Sequence, residues 1–322
     1  MNAFNSFLAK QLDEFVAYRQ SLGFSTKPFC SYLKTFDRYL ARREKEPVLL
    51  QPSFFLELRS NLNHEARTVN RIISTARVFF GYLVRCGSYA TNPVKDIPLL
   101  PKNEIIPFLF SGEQVDRLLL TVCNAIRKDS KYFIKDLSVY LAFLLLAHCG
   151  MRISEPLRLL KHHYRPSERT LYIEKTKFKK DRLIPIPEEV DTHVQNYLAV
   201  RNHILDDHHN PYLLAGSRYG GLNPERIRQT FRQAVTTIGL DQPRRVIGHT
   251  NFSAPTVHSL RHSFAVNTLL KIKARKSSPQ HALPVLATYM GHVEYRYTAN
   301  YLKMIDASQR QQLLDFVQTR KR

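Results

Sequence analysis

Three short segments of the sequence combine arginine, histidine and hydroxyl groups in a way that suits phosphate chemistry. In the first, His148–Glu155, an apolar run breaks at a glycine and an arginine follows. In the second, Thr256–His262, a histidine and an arginine stand three residues apart on one helical face. The third, Gly291–Tyr301, begins with Gly-His and ends on a tyrosine. Guanidinium groups bind phosphate oxygens in a planar, bidentate way, so these segments predict a site that acts on phosphate esters.

Each segment, taken alone, also has an ordinary structural explanation. Arg152 and Glu155 are spaced for an intrahelical ion pair. His258 and Arg261 are equally suited to a solvated helix surface, and Tyr301 is one of 16 tyrosines. The functional prediction therefore depends on the segments occurring together and in this order.

Together, the segments resemble the tyrosine recombinase (phage integrase) superfamily. The family's Gly-Leu/Met-Arg-x-x-Glu motif is matched by Gly150–Glu155, and its His-x-Leu-Arg-His motif by His258–His262. Its Gly-His pair, followed nine residues after the histidine by the nucleophile, is matched by His292 and Tyr301.

The family also has a lysine on a β-hairpin turn, ahead of a Lys-Glu/Asp-Arg-x-x-Pro strand. Lys177 before Lys180–Pro185 matches this pattern. The turn lacks the family's usual glycines, so three other lysines stay open as alternatives: Lys175, Lys179 and Lys180. Two further differences are Pro156, where the family has an ordinary helix former, and a basic insertion at Lys271–Ser278.

The resemblance implies an enzyme that cleaves and rejoins duplex DNA at specific sites, for integration, excision or transposition. Tyr301 would attack a phosphodiester to form a 3′-phosphotyrosyl ester, while Arg152 and Arg261 would clamp the non-bridging oxygens. Lys177 would protonate the leaving 5′-oxygen. Because a covalent intermediate conserves the phosphodiester energy, neither a metal ion nor another cofactor is expected.

The same resemblance gives the remaining polar groups supporting parts. His258 would take or position the tyrosine proton, and His292 would hydrogen-bond the phosphate. Glu155 and His262 are expected to support them, with Glu155 orienting its neighbours.

The elements that must position these groups are mostly helical. Residues 1–92 show helical apolar periodicity and predict four helices, the last from Thr68 to Cys86. Residues 93–107 contain four prolines and predict a linker. Residues 108–322 predict the catalytic domain with a C-terminal helical tail.

Two local patterns define that second domain. Ser111–Gln114 matches a capping box and predicts the start of a helix. Thr170–Lys175 and Asp181–Ile186 predict a β-hairpin. The expected fold class is mostly α with a small β-sheet, and the resemblance implies a SAM-like helical core-binding domain followed by an α+β catalytic domain.

The charge balance predicts a polyanionic partner. The 322 residues carry 48 Lys and Arg against 27 Asp and Glu, a formal net charge of +21, and duplex DNA is the expected partner. The candidate DNA contacts lie on the polar face of the fourth helix and around the hairpin: Arg67, Arg71, Arg77, Lys179, Lys180 and Arg182.

The resemblance also implies assembly, as a tetramer on two DNA duplexes. The tail from Ile305 to Phe316 would dock on a neighbouring protomer, and docking on its own domain is the alternative. No membrane span or secretory signal is expected, so a cytoplasmic protein that associates with the bacterial nucleoid is predicted. Four cysteines without a CxxC pair exclude a disulfide scaffold or zinc finger, and we interpret His162–His163 and Asp206–His209 as solvated loops.

Two rival functions remain. A type IB topoisomerase shares the same catalytic residue types, but the compact two-domain length and the integrase-like sequences of the motifs argue against it. A non-catalytic DNA-binding accessory protein would lack one or more of the catalytic residues, and none is missing here. A metal-dependent nuclease is disfavoured because no compact carboxylate motif occurs.

Overall fold

The computed structural model describes residues 4–44, 46–174, 181–204, 210–217, 219–292, 294, 298–302 and 304–305. The chain divides into two compact units, residues 1–104 and 105–322. Lys175, Lys177, Lys179, Lys180 and the tail beyond Ile305 lie outside the described residues, as do Asp206–His209. None of the helices in the described part is long and apolar enough to span a membrane.

The N-terminal unit contains four helices, as the apolar periodicity predicts. They are α1 (Ala9–Ser21), α2 (Lys27–Arg43), α3 (Pro52–Asn61) and α4 (Ala66–Arg85). The core between them is rich in phenylalanine, and Phe15, Phe36, Phe55, Phe79 and Phe80 are all fully buried. These aromatic side chains of the unit therefore form part of its core.

The first part of the Pro-rich segment packs on this unit and is not a free connection. Val94 and Ile97 belong to the unit's apolar core. Arg77 holds this stretch in place, because its guanidinium donates to the Val94 and Ile97 carbonyls at 2.9 and 2.7 Å. Asn70 likewise bonds both the N–H and the carbonyl of Leu100. Prolines correctly indicate the absence of a helix here, but they do not reveal the burial.

The C-terminal unit contains six helices among the described residues. They are α5 (Gly112–Asn124), α6 (Ser130–His148), α7 (Glu188–Ile204), α8 (Pro224–Thr237), α9 (Val257–Ala274) and α10 (Pro279–Met290). The predicted capping box is confirmed, since Ser111 accepts from the Gln114 N–H and the Gln114 side chain accepts from the Ser111 N–H. The mostly helical fold class is also confirmed.

Two small three-stranded sheets complete the described fold. The strands are β1 (Glu104–Ile106), β2 (Tyr164–Arg165), β3 (Thr170–Ile173), β4 (Arg182–Pro185), β5 (Arg245–Ile247) and β6 (Thr250–Phe252). Strands β3 and β4 pair in antiparallel register, which confirms the predicted hairpin. The second sheet, in the order β1-β6-β5, was not expected from the sequence.

Helix α6 forms the centre of the large core and leads into the first motif. Eleven of its residues are buried, and it ends at His148, just before Gly150. No α-helix begins at Arg152; a short 3₁₀ turn, Pro156–Arg158, follows instead. Pro156 occupies the first position of that turn, where its missing N–H costs nothing.

Candidate active site

The first turns of α9 present three residues of the second motif to one place. Thr256 caps the helix, with a reciprocal hydrogen-bond pattern to Ser259. Arg261 is only 1% exposed, whereas the His258 side chain is exposed and His262 is half-buried. The spacing of one helical turn therefore places His258 and Arg261 together, as the sequence predicts.

The C-terminal end of α10 fixes three arginines through its backbone. Arg182 donates to the Tyr289 carbonyl at 2.8 Å, Arg261 to the Met290 carbonyl at 2.5 Å, and Arg152 to the Gly291 carbonyl at 2.9 Å. The last carbonyls of a helix lack intrahelical partners and carry the negative end of the helix dipole. The helix end thereby gathers cations from three distant segments.

A buried carboxylate joins two of these arginines. Arg182 makes a bidentate pair with Glu155 at 3.1 and 2.9 Å, and Arg152 donates to the same carboxylate from its backbone at 2.8 Å and its side chain at 3.0 Å. Burial raises the pKa of Glu155, but the hydrogen bonds and charge of Arg182 more than offset this, so the pKa is lowered. Glu155 is therefore ionised and orients both guanidinium groups.

Two motif glycines are required by the backbone. Gly150 has φ +57° and Gly291 has φ +66°, a left-handed conformation that favours glycine. A Cβ on Gly150 would lie 2.3 Å from the Phe264 ring, and one on Gly291 would lie 3.0 Å from a nitrogen of Arg182. The Gly150 carbonyl also accepts from Arg261 at 2.6 Å. Gly291 thus leaves room for Arg182, whereas Gly150 leaves room for the Phe264 ring while its carbonyl holds Arg261.

Tyr301 lies at the edge of this arginine cluster, in a helical stretch at 298–302. Its side chain is 4% exposed and packs in an apolar cluster with Leu269 and Met290. Its hydroxyl is 3.1 Å from Nδ1 of His262. Burial raises the pKa of Tyr301, and the charges of Arg261 and Arg152 oppose that rise. The phenol is therefore neutral at neutral pH.

Three histidines cluster at the tyrosine: His262 and His292 lie beside its ring, and His258 lies against His262. The His258 and His262 rings meet edge to face with centroids 4.6 Å apart, and the His292 ring lies 6.1 Å from the Tyr301 ring. Nδ1 of His292 is 2.7 Å from the Thr298 hydroxyl. Desolvation, followed by nearby cationic groups, lowers the pKa of each histidine, to about 3 for His262 and His292. All three are therefore neutral near pH 7.

The structure thus brings together most of the residues singled out in the sequence. They are Arg152, Glu155, Arg182, His258, Arg261, His262, His292 and Tyr301. Two roles differ from expectation. Arg182 was expected to contact DNA, but its Nε, Nη1 and Nη2 donate to the Tyr289 carbonyl and to both carboxylate oxygens of Glu155. Among the described residues, it is His262 and not His258 that hydrogen-bonds the Tyr301 hydroxyl.

The remaining candidate DNA contacts lie in the N-terminal unit or outside the described residues. Arg67 and Arg71 are exposed on α4, whereas Arg77 is half-buried against the Pro-rich segment. Only tertiary contacts distinguish Arg77 from the other two, since all three lie on the polar side of the same helix.

The described residues contain no group of three or more His, Cys, Asp or Glu side chains suited to hold a metal ion. His163, from the tempting His162–His163 pair, is buried, and its Nδ1 accepts from the Leu160 N–H at 3.1 Å. It is therefore not the solvated loop residue that the sequence suggested, but part of the local fold.

Comparisons with known proteins identify the family to which this chain is similar. A model of the phage integrase family matches residues 110–308. A protein named as an integrase/recombinase in Sinorhizobium fredii is 27% identical over 299 residues, covering 92% of this chain and 93% of that protein. Tyrosine recombinase XerA of Pyrococcus furiosus is 27% identical over 263 residues, 80% of this chain and 79% of that protein.

Among solved structures, a lambda integrase dimer bound to a COC′ core site covers 89% of this chain and 96% of its own, with a TM-score of 0.65. The XerH recombinase bound to a palindromic difH substrate covers 88% and 78%, with a TM-score of 0.64. Both are 16% identical to this chain, so these likenesses establish a shared fold.

Proposed function

The chain belongs to the phage integrase family, and from this premise we propose that it is a site-specific tyrosine recombinase that cleaves and rejoins duplex DNA through a 3′-phosphotyrosyl intermediate. The observation that carries the proposal is that Arg152 and Arg261, from two other segments, lie close enough to Tyr301 for their charges to act on its phenol. A phenol beside two guanidinium groups is suited to attack a phosphodiester, because the cations attract the phosphate and stabilise the charge that develops on it.

The arginines act as the phosphate clamp in this proposal. Arg261 directs one donor at the Gly150 carbonyl and another at Met290, and Arg152 is fixed by Glu155 and Gly291. A guanidinium has five N–H donors, so each arginine, held in place by these bonds, keeps others for the non-bridging oxygens. Rigid donors need no reorganisation during the reaction, and this is the main source of their catalytic effect.

The other roles in the proposal follow the order of the family's motifs, and Lys177 lies outside the described residues. The Tyr301 oxygen forms a bond to phosphorus while the bond to the 5′-oxygen breaks. Lys177 protonates that leaving oxygen, with its neighbours on the hairpin turn as alternatives, and His292 binds the phosphate. The reaction reverses when a 5′-hydroxyl attacks the phosphotyrosine, so energy is conserved without a cofactor.

The N-terminal unit supplies a second DNA-binding surface in the proposal. Arg67 and Arg71 lie exposed on α4 and neutralise backbone phosphates, and the net charge of +21 supports extensive phosphate contact. A DNA-binding role for this unit is consistent with its all-helical fold.

Assembly as a tetramer on two duplexes is the last part of the proposal. The titles of fold neighbours describe a lambda integrase dimer on a core site and a lambda integrase tetramer on a Holliday junction. In a head-to-tail ring, the residues after Ile305 dock on the next protomer. A chain ending at Ile305 keeps that buried residue and is expected to bind one half-site but to form no two-duplex complex. Normal recombination by this truncated chain would contradict the assembly proposal.

The decisive experiment is covalent capture on DNA. Fragments bound by Tyr301→Phe are first selected from a genomic library and rebuilt as suicide duplexes. The parent protein is expected to become covalently attached and Tyr301→Phe to bind without attachment, while Tyr297→Phe serves as the matched control and stays active. Attachment by Tyr301→Phe, or none by the parent, would contradict the proposal.

Two added measurements separate the rival functions. EDTA is expected to leave adduct formation unchanged, whereas it would stop DNA cleavage by a metal-dependent nuclease. Relaxation of supercoiled plasmids lacking the selected site would favour the topoisomerase, and binding without any adduct would favour the accessory protein.

A further inference from the structure

The hydroxyl of Tyr301 faces one nitrogen base among the described residues, Nδ1 of His262, at 3.1 Å. We propose that His262 is the residue that accepts the proton of Tyr301 during cleavage and returns it during rejoining. This inference rests on the proposed recombinase function and adds a catalytic residue to it.

The geometry separates the duties of the two histidines on α9. His262 is half-buried and contacts the tyrosine, with ring centroids 5.8 Å apart. His258 is exposed, and the charges that act on it most strongly are those of Arg261 and Arg152. His262 therefore contacts the nucleophile directly, and His258 lies against His262, with the two rings edge to face.

The protonation state of His262 suits an acceptor. A neutral imidazole with its hydrogen on Nε2 leaves Nδ1 free to accept from the phenol. The charged and titratable groups facing it come from three elements: His258 and Arg261 on α9, His292 after α10, and Tyr301 itself. Burial and the first three of these groups lower its pKa to about 3, so the ring is uncharged over the neutral range.

The arrival of the phosphate changes this balance. A phosphodiester carries a negative charge, and further negative charge develops on its oxygens in the transition state. That charge offsets the field of Arg261, so the pKa of His262 rises when the substrate binds. Proton acceptance is thereby coupled to occupancy of the clamp, and the phenol stays protonated until DNA is in place.

The step balances in atoms and charge. The O–H bond of Tyr301 breaks and its proton moves to Nδ1 of His262, while the tyrosine oxygen bonds to phosphorus. The bond from phosphorus to the 5′-oxygen breaks, and that oxygen takes a proton from the lysine of the hairpin turn. His262 thus gains one proton and the lysine loses one, and rejoining reverses both transfers.

The test compares His262→Asn with His258→Asn in adduct formation on the suicide duplex across pH. The asparagine oxygen can replace Nδ1 as a hydrogen-bond acceptor but takes no proton. His262→Asn is expected to react about 10²–10⁴-fold more slowly at pH 7 and to accelerate with rising pH as tyrosinate forms. His258→Asn should keep the parent's pH profile, whatever its rate.

Three outcomes would overturn the proposal. The first is a parental rate of adduct formation in His262→Asn. The second is a rate in His262→Asn that is reduced by the same factor at every pH, which indicates positioning alone. The third is a steep rise of rate with pH in His258→Asn and not in His262→Asn. Since His262→Asn risks misfolding, ¹⁵N NMR of the unaltered protein gives a second test. We expect the ¹⁵N signal of His262 Nδ1 to show no bound hydrogen and to shift in Tyr301→Phe. A protonated Nδ1 would refute the role. If the parent forms no adduct, the recombinase function fails, and the NMR result still decides this contact.

Discussion

Glu155 and Arg182 form a bidentate ion pair beneath the candidate active site, although 27 residues separate them in the chain. Both side chains are almost completely buried, at 6% and 8% exposure. A buried carboxylate that loses its partner keeps its desolvation cost, so the pair is best tested by removing one member at a time.

Arg182→Gln is expected to lower the free energy of unfolding by about 3–5 kcal/mol, because Glu155 is then left buried with a weaker set of partners. The double variant with Glu155→Gln should lose less than the sum of the single variants. Urea denaturation of all four proteins gives the coupling free energy. Arg165→Gln, which breaks an exposed pair with Glu168, is the control and should cost under about 1 kcal/mol. A coupling near zero would contradict the role of the pair.

The same carboxylate makes stability depend on acid pH. The folded-state pKa of Glu155 lies below its ordinary value of 4.5, so the unfolded chain binds more protons in that range. Its contribution is therefore complete above about pH 4.5 and is lost as the pH falls through the lowered pKa. The parent should lose stability between about pH 5 and 3 more steeply than Glu155→Gln, measured by urea midpoints. Parallel curves would show that Glu155 is not ionised in the fold.

Arg152→Ala is expected to slow covalent attachment to DNA by about 10²–10³-fold, the usual effect of removing one transition-state donor. DNA affinity should change little, because many other cations contact phosphates. Single-turnover adduct formation at saturating duplex separates the two effects. Arg232→Ala removes an exposed arginine of α8 and should react at the parental rate, and equal rates for both variants would exclude Arg152 from the clamp.

Gly150→Ala is expected to destabilise the C-terminal unit more than Gly239→Ala. Both positions have positive φ, but an added Cβ meets Phe264 only at Gly150 and meets nothing within 4 Å at Gly239. The conformational strain of about 1–2 kcal/mol is common to both, so the difference reports the clash. Thermal unfolding measures this difference in stability. Adding Phe264→Leu to Gly150→Ala should recover part of the additional loss of stability. Equal losses would contradict the close approach.

Arg77→Ala is expected to reduce stability, whereas Arg71→Ala is expected to weaken DNA binding. Arg77 bonds two backbone carbonyls of the Pro-rich segment, so its loss should cost about 1.5–3 kcal/mol of stability. Arg71 is exposed, so its loss should leave stability unchanged and reduce the salt dependence of DNA binding by about one phosphate contact. Thermal unfolding and binding across a salt series give the comparison. The reverse pattern would show that Arg77 binds DNA.

The sequence predicts best those features that depend on local spacing. The capping box at Ser111, the β3–β4 hairpin and the helical turn between His258 and Arg261 all involve residues close in the chain, where periodicity and capping rules apply. The order of the motifs supplies the family, and with it the expectation that distant segments meet.

Features set by long-range packing are not accessible in this way. Arg182 looks like any basic residue of a hairpin, and its burial follows only from Glu155 and the end of α10. The choice between His258 and His262 depends on where the chain returns some 40 residues later with Tyr301. The packing of the Pro-rich segment depends on Arg77, whose partners a periodicity argument does not identify.

The carbonyls of Tyr289, Met290 and Gly291 hold three arginines of the site, and a carbonyl belongs to every residue type. A substitution at position 289 or 290 therefore leaves the acceptor itself in place, whereas the Met290 side chain still fills the apolar cluster around Tyr301. The third position is constrained by its backbone conformation and not by its chemistry. The arginines of the site are thus positioned by the backbone path at the end of α10, whereas its side chains are constrained by packing.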